Sequence, residues 1–131
     1  MSVLIAPQIH VIAAGETRNV AVSFVGVLDS GELISTTTTN LGVTTASATD
    51  GPIDGINMGP NPSTATALTY TLIQTSTAAL TINGSTCATA QVLQFRVTGG
   101  ERGASYHARM SVVTTSTNTQ TLVRFARIEV K

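Results

Sequence analysis

The chain has 131 residues, and its seven basic and seven acidic side chains give a formal net charge of zero at neutral pH. This balance excludes a global electrostatic attraction to nucleic acid or to an anionic membrane. Hydrophobic residues make up 42% of the sequence, which excludes a wholly disordered chain and is enough to form the core of one domain, residues 1–131. Charged residues make up only 11%, against about 25% in an average globular protein. A surface with so few charges favours contacts with other subunits.

The first predicted strand is the apolar, β-branched segment from Val3 to Ile12, which Pro7 interrupts. Because proline cannot donate a ladder hydrogen bond, the segment is either an edge strand or part of an arm, residues 1–14, that reaches a neighbouring subunit. The candidate interface residues of this segment are Val3, Leu4 and Ile5. The segment lacks the basic start of a secretory signal, so no signal peptide is expected.

Further strands are predicted at residues 18–24, 33–41 and 43–49, with Val20, Val22 and Phe24 facing the core. A long loop then follows at residues 50–65 and contains three of the four prolines. Loops of this length in a compact domain are usually functional or mobile. The loop is therefore either a contact surface or a mobile insertion, and its candidate interface residues are Ile53, Asp54, Ile56 and Met58.

Residues 68–73 alternate as a strand, with Leu68, Tyr70 and Leu72 on one face. Asn83-Gly84 lies between two alternating segments and predicts a tight hairpin turn, since a type I′ turn needs positive φ at both residues. Cys87 is the only cysteine in the sequence, so it cannot form a disulfide within the chain and is expected to be buried.

The stretch from Phe95 to Thr115 is predicted to be central to the fold, as two paired strands joined by a glycine-rich turn. Tyr106 and Met110 belong to the row that should face the core, and His107 lies on the opposite face, where a solvated side chain is expected. Glycine reaches positive φ at little steric cost. The glycines that should reverse the chain are Gly99, Gly100 and Gly103.

The last predicted strand runs to Val130, with Leu122, Ala126 and Ile128 on its apolar face. Arg124 interrupts this pattern and indicates a bulge, a charge pair or an interface. In total, seven to nine short strands separated by turn signals predict an all-β chain folded as an antiparallel β-sandwich.

Patterns typical of catalysis or cofactor binding were not found in the sequence. His10 and His107 do not lie in a metal-binding spacing. The glycines at residues 99–103 lack the lysine and the following helix of a phosphate-binding loop. Aromatic residues make up only 4% and do not alternate with basic ones, which argues against a base-stacking surface. We therefore expect a non-enzymatic protein without a cofactor or a metal.

The motif V-T-G-G-x-x-G-x-x-Y at Val97–Tyr106, together with Gly15-Glu16 and Gly31-Glu32, resembles the small immunoglobulin-like virion proteins of tailed bacteriophages, which are often labelled fiber-tail adaptor proteins. The resemblance implies an antiparallel immunoglobulin-like β-sandwich. It also implies a non-enzymatic adaptor that assembles around the tail or the head-tail connector and attaches a fiber or appendage.

The same resemblance implies that the protein is assembled in the host cytoplasm and resides in the virion. Its expected partners are other virion proteins and copies of itself, with no nucleic acid and no membrane. Two alternatives remain open, a capsid cement or decoration protein and a host- or carbohydrate-binding module. A host- or carbohydrate-binding module would require exposed aromatic side chains. The aromatic residues of this sequence mostly fall within predicted strands.

Overall fold

A computed structural model describes residues 3–53, 55–82 and 84–131, which form nine strands and two short 3₁₀ turns. The strands are β1 (Val3–Ile12), β2 (Thr17–Ser23), β3 (Leu41–Thr45), β4 (Leu68–Thr75), β5 (Leu80–Ile82), β6 (Ser85–Cys87), β7 (Val92–Gly99), β8 (Ser105–Val113) and β9 (Thr121–Val130). The 3₁₀ turns are Thr38–Asn40 and Ala48–Asp50. The prediction of an all-β chain is confirmed.

Two main sheets have the strand orders β1-β9-β8-β3 and β2-β7-β4, and β5 pairs with β6 as a separate hairpin. All of these strand pairs are antiparallel except β1 with β9, which is parallel. One cluster of buried side chains includes Val22 and Phe95 from the second sheet with Tyr106 and Met110 from the first. The two sheets therefore enclose a common core, and the fold is a β-sandwich.

The predicted pairing of the two strands around the glycine-rich turn is wrong. β7 pairs with β2 and β4, whereas β8 pairs with β3 and β9, so the chain crosses from one sheet to the other between residues 99 and 105. Alternation determines which face of a strand is buried, but it does not identify the strand's partner. The predicted inward row is therefore correct although the hairpin is not, and Tyr106 and Met110 are fully buried.

The three glycines of this crossing all adopt the left-handed backbone conformation that was predicted, with φ values of 93° at Gly99, 88° at Gly100 and 84° at Gly103. The Tyr106 hydroxyl closes the crossing, because it donates to the Thr66 carbonyl at 2.6 Å and accepts from the Glu101 backbone N–H at 2.9 Å. Two segments distant from each other in the sequence are thus joined at the end of the sandwich where β8 begins.

The predicted strand at residues 33–41 is also wrong. Ile34 makes only an isolated bridge to Thr114, and a 3₁₀ turn follows before β3 begins at Leu41. The Ile34 N–H donates to the Ala90 carbonyl and the Ser35 N–H to the Val113 carbonyl, both at 2.8 Å. This segment therefore passes between the two sheets instead of extending one of them.

The β5–β6 hairpin agrees with the prediction from the turn sequence, since Ile82 lies opposite Ser85 and Gly84 has a φ of 79°. Asn83 lies outside the described residues. Cys87 is buried, as predicted, with 2% of its surface exposed.

The N-terminal segment forms the edge strand β1 of this chain's own sheet, which is the first of the two alternatives for residues 3–12. Val3, Leu4 and Ile5 lie in register with Val123, Arg124 and Phe125 of β9. The register shifts between Ile5 and Ile9, on either side of Pro7. A proline that interrupts the ladder is tolerated on an edge strand.

Arg124 keeps the alternation of β9 and points between the sheets, on the same face as Ala126 and Ile128. Its guanidinium donates to the backbone carbonyl of Ser23 at the end of β2 in the other sheet. Burial lowers the pKa of this guanidinium. Arg124 is therefore neither a bulge nor an outward-facing interface residue but a polar link across the sandwich.

The predicted face of Leu72 is wrong because β4 contains a register shift between Thr71 and Gln74. Leu72 has a φ of 51° and leaves 64% of its side chain exposed, while Ile73 packs against the core. An extra residue in one strand reverses the inward and outward positions that follow it.

Replacing Leu72 with glycine is expected to increase the free energy of unfolding by about 0.5–1 kcal/mol. Glycine adopts the left-handed conformation without the roughly 1–2 kcal/mol that it costs an L-residue, although it loses more backbone entropy on folding. Urea denaturation measures the change, with Leu72→Ala as the control that keeps the unfavourable φ. A glycine variant less stable than the alanine variant would contradict this account.

Candidate functional site

The long loop, predicted to be either a contact surface or a mobile insertion, covers the outer face of the β1-β9-β8-β3 sheet. A second cluster of buried side chains is formed by Ala46 and Met58 with Val123 and Phe125 of β9, and Ile53 packs against it. Val123 and Phe125 point away from the core between the sheets, so this part of the sheet is covered on both faces. The described residues between 46 and 58 therefore form a third layer over β9.

The candidate interface residues of the loop have different environments. Met58 is fully buried, so its prediction as a contact residue is corrected: it lies against the sheet and offers no surface to a partner. Ile53 is half-buried, and Ile56 is 41% exposed. Asp54 lies outside the described residues. Apolar residues at outward positions of β9 were the sequence signal that something covers this face.

Both ends of the loop are attached to β8. At the first end, Asp50 accepts a hydrogen bond from the Ser47 N–H at 2.9 Å, and its carboxylate lies 3.5 Å from Arg109 Nε. At the second end, Asn61 and Ser105 exchange two backbone hydrogen bonds of 2.9 Å. The loop is thus held to the sheet by polar contacts on both sides of the buried Met58.

A cleft of about 410 Å³ lies between the second half of the loop and the strands β8 and β9. It is lined by Ile56, Asn57, Gly59, Pro60, Asn61, Ser63, Ser105, His107 and Arg127. We refer to it as the loop cleft. The sequence did not identify it, because it depends on how the loop folds back over the sheet.

His107 lies on the outward face of β8, as predicted, but it is not solvated. Only 6% of its surface is exposed, because the loop covers this part of the strand. Burial lowers the pKa of the imidazole, the positive charge of Arg127 lowers it further, and a hydrogen bond to the Met58 carbonyl opposes both effects. At neutral pH the side chain is therefore uncharged, and its Nδ1 has no hydrogen-bond partner in the part of the chain that the structure describes.

Arg127 is the basic residue of the loop cleft. Its Nη2 lies 3.2 Å from a carboxylate oxygen of Glu129, and the other oxygen of Glu129 lies 3.7 Å from Lys131 Nζ. The Nε of Arg127 is buried and, within the described residues, makes no hydrogen bond. The cleft thus contains two buried nitrogens that the described part of the protein leaves unpaired.

Lowering the pH from about 7 to about 5 is expected to decrease the free energy of unfolding. The folded-state pKa values of His107 and His10 both lie below the ordinary value of 6.5, so the unfolded chain binds protons first as the pH falls. The stabilisation from keeping each histidine neutral is fully present well above pH 6.5. As the pH falls below 6.5, the free energy of unfolding decreases by no more than about 1.4 kcal/mol per pH unit for each histidine.

Urea denaturation at a series of pH values measures this dependence. The window stays above the ordinary carboxyl pKa of 4.5, so protonation of Glu16 and Glu32 contributes little to the slope. His107→Gln should reduce the slope and leave the part due to His10. An unchanged slope in that variant would show that His107 does not remain neutral in the folded state.

Within the described residues, no group of three or more histidine, cysteine or acidic side chains is placed to bind a metal ion. No helix in that part of the chain is long and apolar enough to cross a membrane. Comparison with protein-family models, curated proteins and solved structures found no match. A functional proposal must therefore depend on this chain's own residues and on the resemblance of its turn motif.

Proposed function

We propose that this protein is a structural component of a tailed-bacteriophage virion, a non-enzymatic adaptor that attaches a fiber or appendage to the tail or the head-tail connector. The observation that carries the proposal is the role of the motif from Val97 to Tyr106 in the fold. Its glycines form the crossing between the sheets, and its tyrosine closes that crossing through Thr66 and Glu101. The motif behind the resemblance is thus a structural element of the sandwich.

The strand order supports the immunoglobulin-like part of the proposal. When the β5–β6 hairpin is set aside, seven strands remain, and the second, fifth and fourth of them form one sheet. The third, sixth and seventh form the other, as in the constant-type immunoglobulin sandwich. The first strand differs from that arrangement, because it pairs in parallel with the last strand instead of joining the second.

A tyrosine near the start of the sixth strand is a further feature that this chain shares with immunoglobulin-like sandwiches. In immunoglobulin-like sandwiches, such a tyrosine bonds to the backbone a few residues upstream. Tyr106 is the second residue of β8 and bonds to the Glu101 N–H five residues earlier. This feature supports the fold assignment and, through it, the virion proposal.

Exposed apolar side chains provide surfaces for contacts with other virion proteins or with copies of the same chain. Ile9 and Val11 of the edge strand β1 are 53% and 42% exposed, and Ile56 on the loop is 41% exposed. An exposed edge strand can also pair with a strand of another chain. The proposed contact sites are these three residues, the half-buried Ile53, and the backbone edge of β1 at Val3, Leu4 and Ile5.

Labelling of virions tests the proposal. An antibody against this protein would be applied to phage particles purified from the strain that carries the gene and imaged by electron microscopy. Label confined to the tail or to the head-tail vertex supports the adaptor. Label spread over the capsid instead supports a decoration protein, and particles without the protein would refute both.

A further inference from the structure

We propose that the loop cleft binds a carboxylate group that carries a short apolar substituent. This inference does not depend on the virion proposal. It follows from the two unpaired nitrogens of the cleft, from its charge and from the apolar residues at its walls.

The unpaired nitrogens provide the first argument. His107 is more than nine-tenths buried, and within the described residues its Nδ1 lacks a hydrogen-bond partner, as does the buried Nε of Arg127. A buried polar group without a hydrogen-bond partner is unfavourable, and a ligand that supplies the partner removes this cost. Both side chains line the same cleft and belong to residues paired across β8 and β9. Oxygen atoms of one ligand can therefore accept from Arg127 Nε, and from His107 Nδ1 once that nitrogen carries a proton.

Binding of an anion beside His107 is coupled to protonation of the imidazole. The neutral imidazole has one N–H, and the Met58 carbonyl accepts a hydrogen bond from the ring. An acceptor at Nδ1 thus requires a second proton on the ring, which Arg127 opposes and a bound anion would favour. The other charged groups nearby are already paired, Glu129 with Arg127 and Asp50 with Arg109. Binding of an anion should therefore raise the pKa of His107.

The charge of the cleft selects a monoanion. Among the described residues that line the cleft, Arg127 alone carries a full charge at neutral pH, and Glu129 already neutralises part of it. A dianionic phosphate would place excess negative charge beside the Glu129 carboxylate. A carboxylate carries one negative charge and matches the planar guanidinium well.

The apolar residues in the walls of the loop cleft indicate that the ligand has an apolar part. Ile56, which is 41% exposed, and Pro60 line the cleft beside the polar groups. The cleft volume of about 410 Å³ accommodates a small acid or one acidic side chain of a polypeptide. Both sources offer the same group, so the experiment includes one probe for each.

Titration with isovalerate, followed by NMR of the histidine rings, tests the proposal. The chain has two histidines, and His10 is a built-in control, because its Nε2 is also buried and unpaired within the described residues but it does not line the cleft. We expect the His107 signals to shift and saturate, with a Kd of the order of 1 mM, while the His10 signals remain unchanged. The pKa of His107 should rise in the saturated complex.

Two variants and two further probes complete the design. Arg127→Gln should weaken binding at least tenfold, whereas Arg96→Gln, on the other sheet, should leave it unchanged. The blocked dipeptide acetyl-Leu-Glu-amide tests the polypeptide source, and tighter binding of the peptide than of isovalerate would assign the cleft to an acidic side chain of another protein. Tighter binding of isovalerate assigns it to small acids. The proposal would be overturned if uncharged isovaleramide bound as tightly as isovalerate or if both histidines responded equally. It would also be overturned if neither isovalerate nor the peptide saturated the His107 signals.

Discussion

Replacing Gly100 with valine is expected to decrease the free energy of unfolding by about 2–5 kcal/mol or to prevent folding altogether. Gly100 has a φ of 88°, and a Cβ placed on it would lie 2.8 Å from Leu68 Cδ2 and 2.9 Å from Val130 Cγ2. The left-handed backbone costs an L-residue roughly 1–2 kcal/mol, and an overpacked core costs about 1–3 kcal/mol more. The two costs add because the first comes from the backbone conformation and the second from the contacts of the new side chain.

A matched pair of alanine variants separates these two costs and folds more readily. Gly103 has a φ of 84°, but a Cβ added to it would meet no described atom within 4 Å. Gly103→Ala should therefore show the backbone cost alone, and Gly100→Ala the backbone cost together with the contacts to Leu68 and Val130. Urea denaturation of the two variants gives the difference. Equal loss of stability in both would show that the crossing does not pack against β4 and β9 as described.

The inward positions could be predicted from the sequence because they depend on local alternation. Val20, Val22, Phe24, Tyr106 and Met110 were all predicted to face the core, and all are buried. Strand pairing could not be predicted in the same way. The two strands beside the glycine-rich turn have the composition of a hairpin, but each is an inner strand of a different sheet.

Local backbone irregularities limited the prediction at Leu72 and at residues 33–41. A single bulge reverses the face of Leu72, and no pattern in the alternating sequence marks its position. The threonine-rich run before Leu41 has strong strand propensity but little alternation, so it carried little information about pairing. Strand propensity indicates that a segment can adopt an extended backbone. Long-range hydrogen bonds determine whether that segment pairs as a strand.

The loop cleft could not be predicted from the sequence for a further reason. His107 was placed on the correct face of its strand, but its burial depends on a loop that begins more than forty residues earlier. Val123 and Phe125, at outward positions of β9, were the only local indication that the sheet is covered there. A covering layer could have been inferred from them, but not which segment supplies it.

Replacing Met58 with alanine is the second change expected to have a large effect, with a decrease of about 2–5 kcal/mol in the free energy of unfolding. Met58 is fully buried against Val123 and Phe125, so its truncation leaves a cavity between the loop and the sheet. Ile56→Ala, two residues away and 41% exposed, is the control, and its effect should stay within about 0.5 kcal/mol. Urea denaturation measures both.

The same pair of variants shows whether the loop is a fixed surface or a mobile insertion. If Met58 holds the loop against β9, then Met58→Ala should also expose the segment 50–65 to limited proteolysis, while Ile56→Ala leaves it resistant. Loss of this packing would open the loop cleft and expose His107 to water, so the pH dependence of stability should weaken in the Met58 variant as well. Small and equal effects of both substitutions would mean that the loop does not pack on the sheet, and the cleft beneath it would then have no fixed wall for a ligand.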